Sequence, residues 1–454
     1  MSQLTPTSTG AAGELLSQAD LETLVTLALD EARRLGATEA EAAVSADTGL
    51  SVTARLGAVE TLEYQRDRGM GVTLYRGKRK GSASTADLSA KAIRETVAKA
   101  FSIAGFTAED ACAGLPEAGD LARDIPDLDL SHPWDIEPDQ ARDLAVACEA
   151  AALAVDKRIG NSEGATLSSH RGVRVLGNSL GFLGGLASTV HSLSCVVVAQ
   201  ADGEMQRDYW YSSVRDWREL EAGDVIGRTA AQRALRRLNA RKLATTAAPV
   251  LFVPELARGL IGHFLGAIRG GSQYRRASFL LDAAGQQVFP DWMRISERPH
   301  IPKALGSAPF DSEGVATRDR ELVQGGVLDG YVLGTYSARK LGLRTTGNAG
   351  GVHNLIVAPG NDGYEALLKR MGRGLVVTEL MGQGINGVTG DYSRGAAGFW
   401  VEDGAIAYPV HEITIAGNLR DMFKQIVAVG SDVDARGGVR TGSILIERMT
   451  IAGA

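Results

Sequence analysis

The sequence is poor in the residues that build the simplest functional sites. Three cysteines, Cys112, Cys148 and Cys195, stand far apart, odd in number and without metal or redox spacing. That excludes a disulfide scaffold and a paired-cysteine zinc cluster, and it fits a reducing cytoplasm. Aromatic residues make up only 6% of the 454 positions, and none interleave with basic residues as a base-stacking platform requires. Neither charge dominates: 48 Lys and Arg against 54 Asp and Glu leave −6, without the global positive field of a nucleic-acid binder. Long apolar runs are missing as well. The longest uncharged stretch, 175–201, is broken by Gly177, Gly181, Gly184 and Gly185, so it predicts a β-hairpin and no membrane span. Residues 1–13 carry neither the basic nor the apolar block of an export signal, and a disordered tail is expected over 1–17.

What is present is the composition of a turn-rich globular protein, 44% hydrophobic with 55 glycines, in a chain long enough for two cores. Asp20 is placed to cap a helix whose apolar face is Leu21, Leu24, Ala28, Ala32 and Leu35, with Gly36 to end it. Alternating apolar residues over 39–85 predict antiparallel strands. Helical spacing returns from Asp87 (Ile93, Val97, Phe101, Ala104) and over 137–155 (Leu144, Cys148, Ala151, Val155), which makes Cys148 a core residue and not a nucleophile. Strand texture follows over 165–211. A basic helix over 224–242 then leads into an apolar strand, 249–253, a helix over 255–269 and Gly-rich β structure. The expected fold class is α+β in two domains. An N-terminal mixed α/β sheet domain spans 18–243, and a Gly-rich, β-dominated, barrel-like domain spans 244–454.

Candidate chemistry is sparse. His411-Glu412 begins like a zinc-protease helix, but Ile415 stands where the second His belongs and the alternation of Ile413 and Ile415 reads as strand. His263 lies on the 255–269 helix near Leu256, Leu260, Phe264 and Ala267, as an interior histidine would. Gly177-Asn-Ser-Leu-Gly181 matches a nucleophile-elbow pattern around Ser179, yet no helix follows it, and a hairpin turn explains the glycines. Gly347-Asn-Ala-Gly-Gly351 lacks the Lys-Ser/Thr pair of a phosphate loop and reads as a turn. Two basic clusters, Arg76 to Lys80 and Arg233, Arg236, Arg237, Arg241 and Lys242, read as solvated faces.

Several long segments, in order, carry a resemblance. They are Gly69-Met-Gly-Val-Thr-Leu-Tyr with Gly81-Ser-Ala-Ser-Thr-Ala-Asp-Leu-Ser; Phe310-Asp-Ser-Glu-Gly-Val; Gly325-Gly-Val-Leu-Asp-Gly-Tyr; Gly390-Asp-Tyr-Ser-Arg-Gly-Ala-Ala-Gly-Phe-Trp; and Tyr408-Pro-Val-His-Glu-Ile-Thr-Ile-Ala-Gly-Asn-Leu. On these the chain resembles the PmbA/TldE branch of the TldD/PmbA peptidase family over everything after the tail. The resemblance implies a zinc-bearing TldD subunit, with a His-Glu-x-x-x-His helix and a C-terminal Cys, and a TldE subunit that lacks the full site and pairs with it. The corresponding helix here reads Arg258-Gly-Leu-Ile-Gly-His263, and Thr441 aligns with the Cys. The degenerate metal-site positions are therefore Arg258, Gly259, His263 and Thr441. A guanidinium repels Zn²⁺, and Gly259 offers no carboxylate to take a proton from water.

The expectation is a partner subunit of a cytoplasmic TldD/TldE-like peptidase complex that degrades or processes unfolded or leader peptides. This chain then has no catalytic residue, metal or cofactor of its own, and zinc is expected in a TldD-like catalytic subunit. Peptides are the expected substrates, no membrane is involved, nucleic acid is disfavoured, and self-association of the lone chain is left open. Two alternatives stand: a self-sufficient metallopeptidase of the same family, and a nucleic-acid- or topoisomerase-associated regulator.

Overall fold

The computed structural model describes residues 15–453. Of the tail expected over 1–17, residues 1–14 lie outside the described residues. Leu15 and Leu16 pack against the N-terminal core, and Ser17 begins the first helix.

Helix α1 (Gln18–Leu35) buries Leu21, Val25, Ala28 and Ala32 along one face. Its cap is Ser17 and not the expected Asp20. The Ser17 hydroxyl accepts the Asp20 amide at 3.2 Å, while the Asp20 carboxylate accepts the Ser17 amide at 3.0 Å, so Asp20 completes the cap from the first turn. Gly36, at φ 85°, ends the helix. Strands β1 (Glu39–Arg55), β2 (Ala58–Arg76) and β3 (Arg79–Thr85) precede α2 (Ala90–Phe106) and α3 (Pro138–Leu153). Strands β4 (Ile159–Asn178), β5 (Leu183–Ala201) and β6 (Glu204–Val214) precede α4 (Gly223–Arg236). The strands form one antiparallel sheet, β3-β2-β1-β4-β5-β6, curved into a half-barrel. Helices α1 and α2 cover one end of one face of the sheet and α3 and α4 the other end of that face, where Cys148 and Cys195 are fully buried. The uncharged 175–201 segment is the β4–β5 hairpin, and Ser179 sits in its turn, accepting the Ala40 amide at 3.0 Å.

The helix expected over 224–242 stops at Arg236. The amides of Arg237 and Leu238 turn back onto the Ala234 and Leu235 carbonyls, and Asn239, at φ 60°, reverses the chain.

The remainder holds β7 (Thr246–Phe252), α5 (Pro254–Ile268), α6 (Gly270–Tyr274), β8 (Ile295–Glu297), β9 (Arg320–Gln324), β10 (Val327–Leu328), α7 (Thr335–Leu341), β11 (Leu355–Val357) and α8 (Tyr364–Met371). These are followed by β12 (Gly374–Met381), β13 (Asp391–Glu402), β14 (Ala405–Asn418), α9 (Leu419–Lys424), β15 (Ile426–Val429), β16 (Val439–Arg440) and β17 (Ile444–Ala452). Strands β14-β13-β12-β7-β17 run in series, and pairing of β14 with β17 closes them into a five-stranded barrel. Closure leaves these strands no free edge along the ring. His411 lies on β14, as the alternation indicated. The scarce aromatics concentrate in this part: Phe264, Phe279, Phe289 and Phe423 are buried together, with Phe289 5.0 Å from both Phe264 and Phe423. Each such side chain contributes roughly 1.5–3 kcal/mol by leaving water. The fold is α+β, as expected.

Candidate functional site

Pro254 suits the first position of α5, where an amide would have no helical partner. Ala257, Leu260, Ile261, Phe264, Leu265 and Ile268 bury one flank of the helix, so Arg258, Gly259 and His263 lie off that flank. The Arg258 guanidinium donates from Nη2 to the Tyr211 hydroxyl of β6 at 3.0 Å and lies 3.6 Å from the Asp434 carboxylate. Asp434 also receives Arg436 Nε at 2.9 Å, and its amide donates to the Thr441 carbonyl at 3.1 Å. Burial alone would raise the Asp434 carboxyl, but the Arg436 hydrogen bonds and the charges of Arg436 and Arg258 outweigh it and hold it below the usual range. Thr441 is fully buried, its hydroxyl donating to the Gly442 carbonyl at 3.0 Å. His263 points to β13, its ring 6.0 Å from that of Tyr392. Burial, and then the charge of Arg394, hold its imidazole below its ordinary pKa. Gly259 faces open space, where an added Cβ meets nothing within 4 Å.

Arg258 and Thr441 thus meet on either side of Asp434, while His263 lies further along α5 and Gly259 offers no group. Zinc needs imidazole, thiolate or free carboxylate donors. These positions supply a guanidinium, one imidazole and a hydroxyl turned to a carbonyl, and the neighbouring carboxylate is ion-paired with two arginines. Among the described residues no group of three or more His, Cys, Asp and Glu side chains is gathered for a cation. The residues present do not fit a zinc ion.

The basic residues at the end of α4 are not the solvated face expected of them. Arg233 pairs with Asp208 at 3.2 Å and Glu255 at 3.2 Å, and Arg237 pairs with Asp208 and Glu379. Arg236 lies over Phe399, Arg241 over Tyr408, and Lys242 lies 3.9 Å from Glu412. The cluster is a seam that joins the half-barrel to the barrel. In the other cluster, Arg76 covers Phe101, Lys78 donates to the Ala113 carbonyl at 2.8 Å and Arg79 reaches Glu109 at 3.5 Å.

A second feature escaped the sequence. On the sheet face away from the helices, Ala43, Ser45 and Asp47 of β1 stand opposite Gly71, Gly69 and Asp67 of β2 and opposite Leu176, Arg174 and Gly172 of β4. Opposed residues share a face, so the small residues of β1 and β2 line its middle beside Leu176 and Arg174. Gly172 leaves room for the Asp47 carboxylate, whose Oδ1 would lie 2.0 Å from a Cβ there and would have to turn aside. Above them opens a cavity of about 850 Å³, continuing into cavities of about 430 and about 340 Å³ through shared walls at Gly71 and then Glu41. Ser307, Ser312 and Glu313 close the trough from the other part of the molecule. The only signal in sequence was the Gly/Ser-rich texture of 69–85.

A curved sheet with an open face, docked on a closed barrel, makes a two-part scaffold whose α5 helix carries no zinc ligand set. Three family domains match and give its class: PmbA/TldA metallopeptidase domain 1 over 40–104, the central domain over 131–238 and the C-terminal domain over 245–453. The chain is 54% identical to Metalloprotease PmbA of Escherichia coli O157:H7 over 91% of its own length and 92% of the relative's. It is 49% identical to the Metalloprotease PmbA homolog of Haemophilus influenzae over 96% of each. Among solved structures, a proposed modulator of DNA gyrase from Bacteroides thetaiotaomicron superposes with TM-score 0.91 at 28% identity, over 96% of this chain and 100% of the other. TldE from Thermococcus kodakarensis shares the fold, with TM-score 0.83 at 21% identity over 95% and 100%. The chain belongs to the PmbA/TldE branch of the TldD/PmbA metallopeptidase family.

Proposed function

We propose that this chain is the partner subunit, without zinc of its own, of a cytoplasmic TldD/TldE-like peptidase complex that acts on unfolded or leader peptides. The observation that carries the reading is the engagement of Arg258: where a ligand would stand, a cation ties α5 to Tyr211 and Asp434. The trough supports a role in holding substrate, because a long open face of the sheet gives an extended peptide room to lie along it. No described helix is long and apolar enough to cross a membrane. The topoisomerase-associated alternative loses its one sequence support, since the arginines of the seam are engaged within the chain.

The test is reconstitution with a TldD-like subunit from the same organism and an unstructured peptide. Cleavage by the mixture and none by this chain alone is expected. Cleavage by the lone chain would favour the self-sufficient enzyme, and salt-sensitive retention on DNA would favour the regulator.

A further inference from the structure

The end of the trough between β1, β2 and the segment before α7 differs from the rest. The charged and hydroxyl-bearing side chains in the wall of its cavity, about 340 Å³, include Glu41, Tyr75, Lys78, Lys80, Asp110, Glu313 and Tyr336, Lys78 being tied to the Ala113 carbonyl. Some of these groups are already engaged: Asp110 accepts the Tyr336 hydroxyl at 2.6 Å and Lys340 at 3.0 Å. Others carry less: Glu41 has the Thr73 side chain as a hydrogen-bond partner, Glu313 accepts the Thr335 amide at 2.9 Å, and among the described residues neither has a cation within ion-pair reach. Tyr75 is 5% exposed, and no described residue hydrogen-bonds its hydroxyl, although the side chain lines the cavity. That hydroxyl is open to the cavity, where an entering donor can meet it.

The local field points the same way. Burial pushes the Glu41 carboxyl up, with Lys80 opposing and Glu313 adding to the rise. Burial, then Glu41, Glu313 and Glu39, push the Tyr75 hydroxyl up against the charge of Arg339. In the cavity wall Glu41 and Glu313 face the same space as the Tyr75 hydroxyl, and a donor-rich cation entering there would meet all three.

We infer that this end pocket takes the primary ammonium group of an extended peptide lying in the trough, with Glu41 and Glu313 opposing its charge and the Tyr75 oxygen accepting one of its hydrogen bonds. The ammonium can be the peptide's N-terminus or a lysine side chain. The inference rests on the trough being the peptide-bearing face.

The test is fluorescence anisotropy on the full chain with three C-terminally labelled ten-residue Gly/Ser/Ala peptides: free at the N-terminus, N-acetylated, and N-acetylated with lysine first. The free peptide is expected to bind at least about tenfold tighter than the acetylated one, a difference of about 1.4 kcal/mol. Recovery by the lysine peptide assigns the preference to any ammonium, and no recovery assigns it to the terminus. Glu41→Gln and Tyr75→Phe, each checked by thermal melting, should bring the ratio toward one. Lys80→Met, which removes a competing ammonium, should raise it. Equal binding of free and acetylated peptides overturns the end pocket while leaving the trough as a peptide face. Absence of binding by all three overturns both.

Discussion

Arg258 is the residue on which the account turns, and its chemistry can be weighed directly. A guanidinium joining a tyrosine hydroxyl to an ion-paired aspartate contributes through charge-assisted hydrogen bonds, about 1.5–3 kcal/mol when well desolvated. With the Arg258 side chain 30% exposed, about 1 kcal/mol is the better expectation. Arg258→Ala should lower urea stability by that order, and a double-mutant cycle with Tyr211→Phe should show the two effects coupled. Asp434 gives the pH dependence. Its folded carboxyl lies below the unfolded value of about 3.9, so its stabilisation is present above that pH and is lost as pH falls through the folded value. Asp434→Asn should flatten the acid limb of stability against pH; an unchanged limb would show that the Arg258–Asp434–Arg436 cluster contributes nothing in solution. The degeneracy of 258, 259 and 441 was legible because ligand chemistry belongs to side-chain type. What replaces the ligands was not legible, because Tyr211 and Asp434 reach Arg258 only through the fold.

At the scale of elements, the sequence shows periodicity but hides closeness. The helices of the half-barrel followed from apolar spacing, whereas the premature end of α4 depends on Asn239, which spacing alone passes over. Glycines divide the same way. Gly227 lies where α4 crosses α3, and a Cβ there would sit 2.1 Å from the Cys148 carbonyl oxygen. Gly227→Ala should therefore force the helices apart and cost more than about 2 kcal/mol, as overpacking of a rigid contact does. Gly259 has open space around the same added atom, so Gly259→Ala should stabilise α5 by about 0.5–1 kcal/mol. Thermal melts of the two variants would check the pair, and equal effects would contradict the helix packing described. The open space at 259 also admits the variant Arg258→His, Gly259→Glu, Thr441→Cys. Residues 258 and 263, five apart, sit about 140° apart on a regular helix, so a zinc-binding variant must distort α5 locally. Zinc uptake by the triple variant is expected, and failure would count against the alignment of these positions.

For the whole molecule, the two-part α+β plan was legible in the shift from helix-and-strand alternation to Gly-rich β texture. The trough was not, since Glu41, Tyr75 and Glu313 converge only when the half-barrel docks on the segment before α7. Nor was the seam, where a basic run resembling a solvated face meets Asp208, Glu255 and Glu379. Arg237→Glu should destabilise the full chain well beyond an ordinary surface charge change, because it sets like charges together at a buried site. The central claim is that this subunit carries no metal of its own. Elemental analysis of zinc in the purified chain, alone and after mixing with a TldD-like subunit, tests it most directly. Zinc near zero in the lone chain, with metal in the mixture following the partner, is the predicted result; stoichiometric zinc in the lone chain would contradict it.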